Sequence, residues 1–314
     1  MTKRDPKFKV IVPLSNFTWS GKTFQIDDLY TIEKMDTIPD LAWCEDLLSK
    51  NDKDDIGRAS HWLSFEQSSN DKLSPSEKVN IFLLALWIVL PTRVHVRFRF
   101  ELPRESGNGQ YCSAVRYYDQ FQWIKTQAKD QIKTKNLQKL QGVIDSLQKI
   151  YTNPKRLCNS LVLTLKGCTT IDWQVAFICF SAAAEGILTY KEGTGITRRL
   201  ATSFACLTKR TKNQRDTAYQ KFCALYGIRS DIMHGRIVHS RMTDGKKLKE
   251  LARFSNLLRG LWKTILLSPS IMAEIEKCDA KREVWFNKIG EFEGRFPDFL
   301  ENLRENLRDA SQIS

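Results

Sequence analysis

Asp172-Trp-Gln-Val-Ala-Phe-Ile-Cys-Phe-Ser-Ala-Ala-Ala-Glu-Gly-Ile-Leu188 decides the fold of the second half of this 314-residue chain. Asp172 is a capping residue type, and the helix it opens carries Trp173 to Tyr190. The helix is mostly apolar. Its run Ser181-Ala-Ala-Ala184 allows close packing, and Glu185 is its one interruption by charge. Toward the C-terminus further helices follow at 196–207, 213–226 and 246–267, the last ended by Pro269, with one or two more over 271–311. Toward the N-terminus residues 155–167 form a shorter helix. Before it Ile124, Ala128, Ile132, Leu137, Leu140, Ile144 and Leu147 recur at helical spacing with lysines between.

The first third reads differently. Residues 8–14 and 23–33 are strands, and residues 40–70 are mixed and polar, with Asp52, Asp54 and Asp55 as a solvated acidic loop. Ser74-Pro75-Ser76-Glu77 opens a helix that runs to Leu90: serine caps, proline fits the first helical position, and glutamate closes a capping box. Arg93-Val-His-Val-Arg-Phe-Arg-Phe100 alternates strictly, as a half-buried strand does. Its outer face is a cationic row, which suits either an exposed or edge strand protected by charge or an auxiliary nucleic-acid contact. Residues 103–112 are turn-rich and read as a loop near a domain boundary. The expected fold is therefore α+β: a mixed α/β domain over residues 1–118, then an all-helical bundle over 119–314 with its core at 170–265. There is no internal repeat and no low-complexity tract.

The net charge is +13. Residues 151–250 hold 17 Lys/Arg against 7 Asp/Glu, whereas residues 1–150 hold 22 against 19 and residues 251–314 hold 10 against 10. One segment thus carries most of the excess, and a local cationic field attracts polyanions. No secretory signal follows the N-terminal Met-Thr-Lys-Arg-Asp-Pro-Lys, and the longest apolar run, Ile81 to Leu90, is shorter than the ~20 residues a bilayer needs. A cytoplasmic protein without membrane contact is expected. The eight cysteines form no Cys-x-x-Cys pair, and Cys179, Cys206 and Cys223 sit inside apolar helical patterns, as reduced structural thiols do. No Walker A loop, dinucleotide fingerprint, His-Glu-x-x-His helix or nucleophile elbow occurs, so neither cofactor nor metal is expected.

The chemistry concentrates in Leu225-Tyr-Gly-Ile-Arg-Ser-Asp-Ile-Met-His-Gly235. Leu225, Ile228, Ile232 and Met233 put this stretch on a helix, with Arg229 and His234 five positions apart. Histidine, titrating near ~6.5, can take a proton from a ribose 2′-hydroxyl or give one to a leaving 5′-oxygen. Arginine offers fixed bidentate donors to the non-bridging phosphate oxygens. Positions i and i+5 lie about 140° apart on an ideal helix, so a bent helix, arginine's reach or a second subunit must bring the pair together.

The order of these features resembles the HEPN superfamily, most closely its Apea-like branch. The family's first helix, with a glutamate near its end, is matched by Phe177-Ile-Cys-Phe-Ser-Ala-Ala-Ala-Glu-Gly-Ile-Leu188, and its tyrosine-arginine-histidine-glycine helix by Tyr226 to Gly235. The resemblance covers about residues 170–265. It implies a metal-independent endoribonuclease, a toxin or antiviral defence effector, whose arginine–histidine motifs meet across a homodimer formed by these helices. Carried over, Arg229 and His234 are the catalytic pair. Ser230 and Asp231 orient either group or are plain solvated positions. Glu185 has a structural pairing or a supporting role. Arg198, Arg199, Lys209, Arg210, Lys212 and Arg215, with Lys191, form a phosphate-tracking surface for RNA. Members paired with nucleotidyltransferase antitoxins carry tyrosine two residues after the histidine; here that position is Arg236, a further cation beside the site. A HEPN module that binds RNA or a nucleotide without cutting it is the alternative.

Overall fold

The computed structural model describes residues 7–34, 44, 46, 48–90, 94–103, 112–116, 132–153, 155–190, 195–236 and 243–291. The fold is α+β: a six-stranded antiparallel sheet comes first and a helical region follows. The chain divides into two compact units, Met1–Thr152 with Cys168–Thr170, and Asn153–Gly167 with Ile171–Ser314.

The sheet consists of β1 (Lys7–Pro13), β2 (Thr23–Ile26), β3 (Tyr30–Lys34), β4 (His61–Ser68), β5 (Phe98–Pro103) and β6 (Ser113–Arg116), in the order β2-β3-β4-β1-β5-β6. Val10, Ile11 and Val12 of the interior strand β1 are all buried, because helices cover both of its faces. On one face Ile11, Trp62, Phe98 and Phe100 pack with Leu48 and with Ile56 of α1 (Lys50–Gly57). On the other, Tyr30 and Phe65 meet Phe82 and Lys78 of α2 (Pro75–Val89), and the Tyr30 hydroxyl donates to the Lys78 carbonyl at 3.0 Å. The helix start at Ser74 is the capping box the sequence spells, with Pro75 in the first turn.

The strand expected over 23–33 is instead the antiparallel pair β2 and β3, and three further expectations change here. The acidic cluster at 52–55 is not a loop but helix α1, capped reciprocally by Ser49 and Asp52. The cationic row is not bare: its described arginines are paired, Arg97 while still partly accessible and Arg99 while buried. Arg97 pairs with Asp55 at 2.6 Å, Arg116 with Asp52, and Arg99 is buried against Glu101 and the Ser76 hydroxyl. β5 lies between β1 and β6 rather than at an edge, so the buried Arg99 there needs partners, and Glu101 and Ser76 supply them. Burial pushes the Asp52 carboxyl up, but hydrogen bonds from Ser49 and the charges of Arg116 and Arg97 outweigh it and hold it below the usual range. This strand begins at Phe98, and Arg93 lies outside the described residues. Finally, α3 (Thr134–Gln138) and α4 (Leu140–Thr152), placed by the sequence reading in the helical domain, group with the sheet. The apolar stripe of α4, Leu140, Val143, Ile144 and Leu147, is buried, and α4 lies against α2.

The second unit holds α5 (Arg156–Thr169) up to Gly167, α6 (Trp173–Leu188), α7 (Ile196–Thr208), α8 (Lys212–Met233), α9 (Asp244–Leu266), α10 (Pro269–Ile275) and α11 (Asp279–Glu291). Phe177 and Phe180 of α6 pack on Phe254 of α9 at 5.0 and 6.0 Å between ring centroids, and Phe204 of α7 stacks on Phe222 of α8 at 5.0 Å. Each such ring contributes about 1.5–3 kcal/mol by leaving water. Close approach of α5 to α6 depends on Gly167, where an added Cβ would lie 2.6 Å from the Phe180 ring. The carbonyls that end α6 are met by side chains: Arg282 of α11, fully buried, donates to Ile187 and Thr189, and Arg156 donates to Gly186 at 3.4 Å. Among the described residues no helix is long and apolar enough to cross a membrane.

Candidate active site

α6 and α8 bring together two of the residues singled out from the sequence. Asp172 caps α6, its side chain accepting from the Gln174 and Val175 amides at 2.8 and 2.9 Å. Arg282 and Arg156 fix the other end of α6, and Glu185 sits in its last turn. On α8 only Ala218, Phe222, Leu225 and Tyr226 are buried, a single stripe at helical spacing. Tyr226 and Arg229 are one turn apart on that helix and both reach Glu185. The Tyr226 hydroxyl donates to Glu185 Oε1 at 2.7 Å, and Arg229 Nη2 lies 3.2 Å from the same oxygen. The guanidinium also sits over the Tyr226 ring, 5.3 Å from its centroid. Burial, then the hydrogen bond and charge of Glu185, push the Tyr226 phenol well above its ordinary value, so it stays a donor at any physiological pH.

Arg229 is thus held from two sides and remains partly open, with 29% of its side chain accessible. His234 is placed differently. α8 runs seven residues past Tyr226 with no further buried side chain, and Met233 is 53% exposed. His234 is the exposed residue at its C-cap, closed by a Schellman turn. Gly235, at φ +66, donates to the Ile232 carbonyl at 3.0 Å, and the Arg236 amide donates to Asp231 at 2.8 Å. Glycine is the residue that takes this φ without cost. Among the described residues no hydrogen bond or ion pair engages the His234 ring. Ser230 and Asp231 are half-buried, and Asp231 lies 3.7 Å from the exposed Arg236.

The expected phosphate-tracking cations have different surroundings. Lys209 and Arg210 line a cleft at the α7–α8 turn. Arg215 turns back and donates from Nε to the Lys209 carbonyl at 3.2 Å. Lys212 is exposed in the first turn of α8. Arg198 stands near the far end of α7, eleven residues or about 16 Å from Lys209 along a helix, where its charge acts on Tyr219. Arg199 is half-buried, and Lys191 lies outside the described residues. In the sequence Tyr226 stands only as part of the motif. Its spacing of three from Arg229 was the available sign that both could serve one partner. Among the described residues no three His, Cys, Asp or Glu side chains converge as a metal-binding group. Comparison with protein-family models, with curated proteins and with solved structures finds no match for this chain.

Proposed function

We propose that this chain is a metal-independent endoribonuclease of the HEPN kind, with Arg229 and His234 as its catalytic pair. One observation carries the reading. A solvent-exposed imidazole free of described partners follows, on one helix, a guanidinium that Glu185 and Tyr226 hold in place. In the reaction His234 takes the proton of a ribose 2′-hydroxyl, whose oxygen attacks the adjacent phosphorus. Arg229 donates to the non-bridging oxygens as charge gathers on them. The P–O5′ bond breaks, and the products are a 2′,3′-cyclic phosphate and a 5′-hydroxyl. The departing oxygen takes a proton from a protonated imidazole, supplied by the second copy in a homodimer. The two side chains point about 140° apart and about 7.5 Å along the axis on an ideal helix, which favours a site built from two copies. The role as toxin or antiviral effector, acting in the cytoplasm, rests on the HEPN resemblance alone.

The test is cleavage of mixed RNA by the full chain with EDTA present. Cleavage should persist there, spare DNA, fail on 2′-O-methyl RNA, and vanish in His234→Ala with its thermal midpoint unchanged. Activity that needs Mg²⁺, or a His234→Ala variant cutting at the wild-type rate, overturns the assignment. A second reading has its own support: Glu185 already occupies Arg229 within one chain, which suits a module that binds RNA without cutting it. Binding without products in the same assay selects that reading.

A further inference from the structure

The second unit carries a cleft of about 590 Å³ between the α7–α8 turn, the N-terminal half of α8 and Leu257 of α9. Three cations line it, Lys209, Arg210 and Lys221, together with the amides of Asn213 and Gln214 and the hydroxyl of Thr217. No acidic and no aromatic side chain lines it. We propose that this cleft binds the sugar–phosphate backbone of single-stranded RNA, as an anchoring subsite remote from the reacting phosphate. The proposal rests on the ribonuclease reading above and names where that site's substrate is gripped.

The chemistry of the walls selects the ligand. Lysine, arginine, asparagine, glutamine and threonine are the side chains that contact phosphate and sugar. Base recognition on a single strand uses aromatic platforms, and none is present here. A cleft for an apolar small molecule is lined mainly by hydrophobic and aromatic residues, whereas here Ala218 and Leu257 are the hydrophobic members of nine. Three positive charges with no acid among them keep the local potential positive, and the first turn of α8, capped by the Thr211 hydroxyl, adds its partial positive charge. Arg210, Asn213, Gln214 and Lys221 are all exposed, so a strand can lie along the opening. Arg215, by donating to the Lys209 carbonyl, braces the turn that presents Lys209 and Arg210 and is a positioning residue.

The cleft's place on α8 sets its role. Lys221 and His234 are thirteen residues apart, about 20 Å along the helix and about 140° around it. A phosphate held at Lys221 is therefore not the one His234 acts on. Such remote contacts act equally on ground state and transition state, so they set KM and leave kcat alone.

The decisive experiment measures binding of a fluorescein-labelled 2′-O-methyl RNA oligonucleotide to the full chain by anisotropy over a salt series. The double variant Lys209→Gln, Lys221→Gln should bind about tenfold more weakly. Its slope of log K against log salt should fall in magnitude by about 1.4, from two lost single-strand phosphate contacts. The control Lys281→Gln, on exposed Lys281 of α11, should bind as wild type. Wild-type affinity and slope in the double variant would overturn the cleft while leaving the ribonuclease reading standing. Wild-type protein that binds no RNA overturns both. A double variant that loses binding to ATP while keeping RNA shows a nucleotide cleft and also overturns the proposal.

Discussion

Replacing Glu185 tests whether the α6–α8 seam is held by the chemistry described above. Its Oε1 accepts from Tyr226 at 2.7 Å and faces Arg229 at 3.2 Å. In Glu185→Gln an amide oxygen can still accept from the tyrosine, so no buried donor is orphaned, but both contacts lose their charge. A hydrogen bond to a charged group contributes about 1.5–3 kcal/mol against about 0.5–1.5 for a neutral one, so the Tyr226 contact weakens by about 1 kcal/mol. The Arg229 pair is roughly a quarter exposed on both sides and adds up to about 1 kcal/mol. The total is about 1–2 kcal/mol. In Glu185→Ala the Tyr226 hydroxyl, on a side chain 4% exposed, loses its acceptor, and an unsatisfied buried donor costs about 1–3 kcal/mol more. The alanine variant should therefore lose about 3 kcal/mol. At about 2–4 °C per kcal/mol for a unit of this size, the midpoints should drop by about 2–8 °C for glutamine and about 6–12 °C for alanine. Thermal unfolding followed by circular dichroism reads both. A double-mutant cycle sharpens the result: Tyr226→Phe should be destabilising in wild type and neutral or stabilising beside Ala at 185. Equal losses for glutamine and alanine, or additive effects in the cycle, would refute the claim that Glu185 is the shared acceptor.

Gly167→Ala should destabilise the second unit by about 1–3 kcal/mol through overpacking, outweighing the ~1 kcal/mol that alanine gains in helix propensity, because the added Cβ meets the fully buried Phe180 ring at 2.6 Å; Phe180→Leu in the same chain should recover part of that loss in urea unfolding. The buried His61 donates from Nε2 to the Gly21 carbonyl at 3.1 Å and faces the Ser60 hydroxyl with Nδ1 at 2.9 Å. Burial first, with the charge of Lys34 assisting against the Gly21 bond, holds it below its ordinary value. The folded state then binds fewer protons than the unfolded one just below about pH 6.5, so stability rises with pH there and is lost on acidification, by about 1.4 kcal/mol for each unit of displacement. His61→Gln should flatten the difference between urea midpoints at about pH 5 and about pH 7, and an unchanged difference would assign it to other groups.

The architecture was legible wherever one chain property fixed it. Asp172 with its apolar run, the Ser74 capping box and the β1 run at 8–14 are local signals, and each became the element it spells. What misled was context. Arg97 and Arg99 alternate with buried residues just as surface charges would. Only the arrival of Asp55 from α1 and of Glu101 from the same strand shows that both are paired, and that Arg99 is buried. The grouping of α4 with the sheet was likewise invisible, because an amphipathic stripe records that a helix face is covered and not by what.

The candidate site divides along the same line. Residue type and spacing single out Arg229 and His234, and spacing does give their divergence on the helix. It does not give the difference in how they are held. Arg229 has lost its freedom to Glu185, forty-four positions earlier in the chain, whereas His234 stands beyond the last buried residue of α8. A fixed guanidinium needs little reorganisation to meet charge developing on a phosphate. An imidazole at an exposed helix end can carry protons to and from water. The cations show the converse. Seven positive residues in one stretch look like a single surface, yet Arg215 is spent on a backbone carbonyl and Arg198 stands apart, while Lys221, which drew no attention in the sequence, completes the cleft with Lys209 and Arg210. Charge counts measure the field a segment makes; only the packing of α7, α8 and α9 decides where that field has a concave place to hold a ligand.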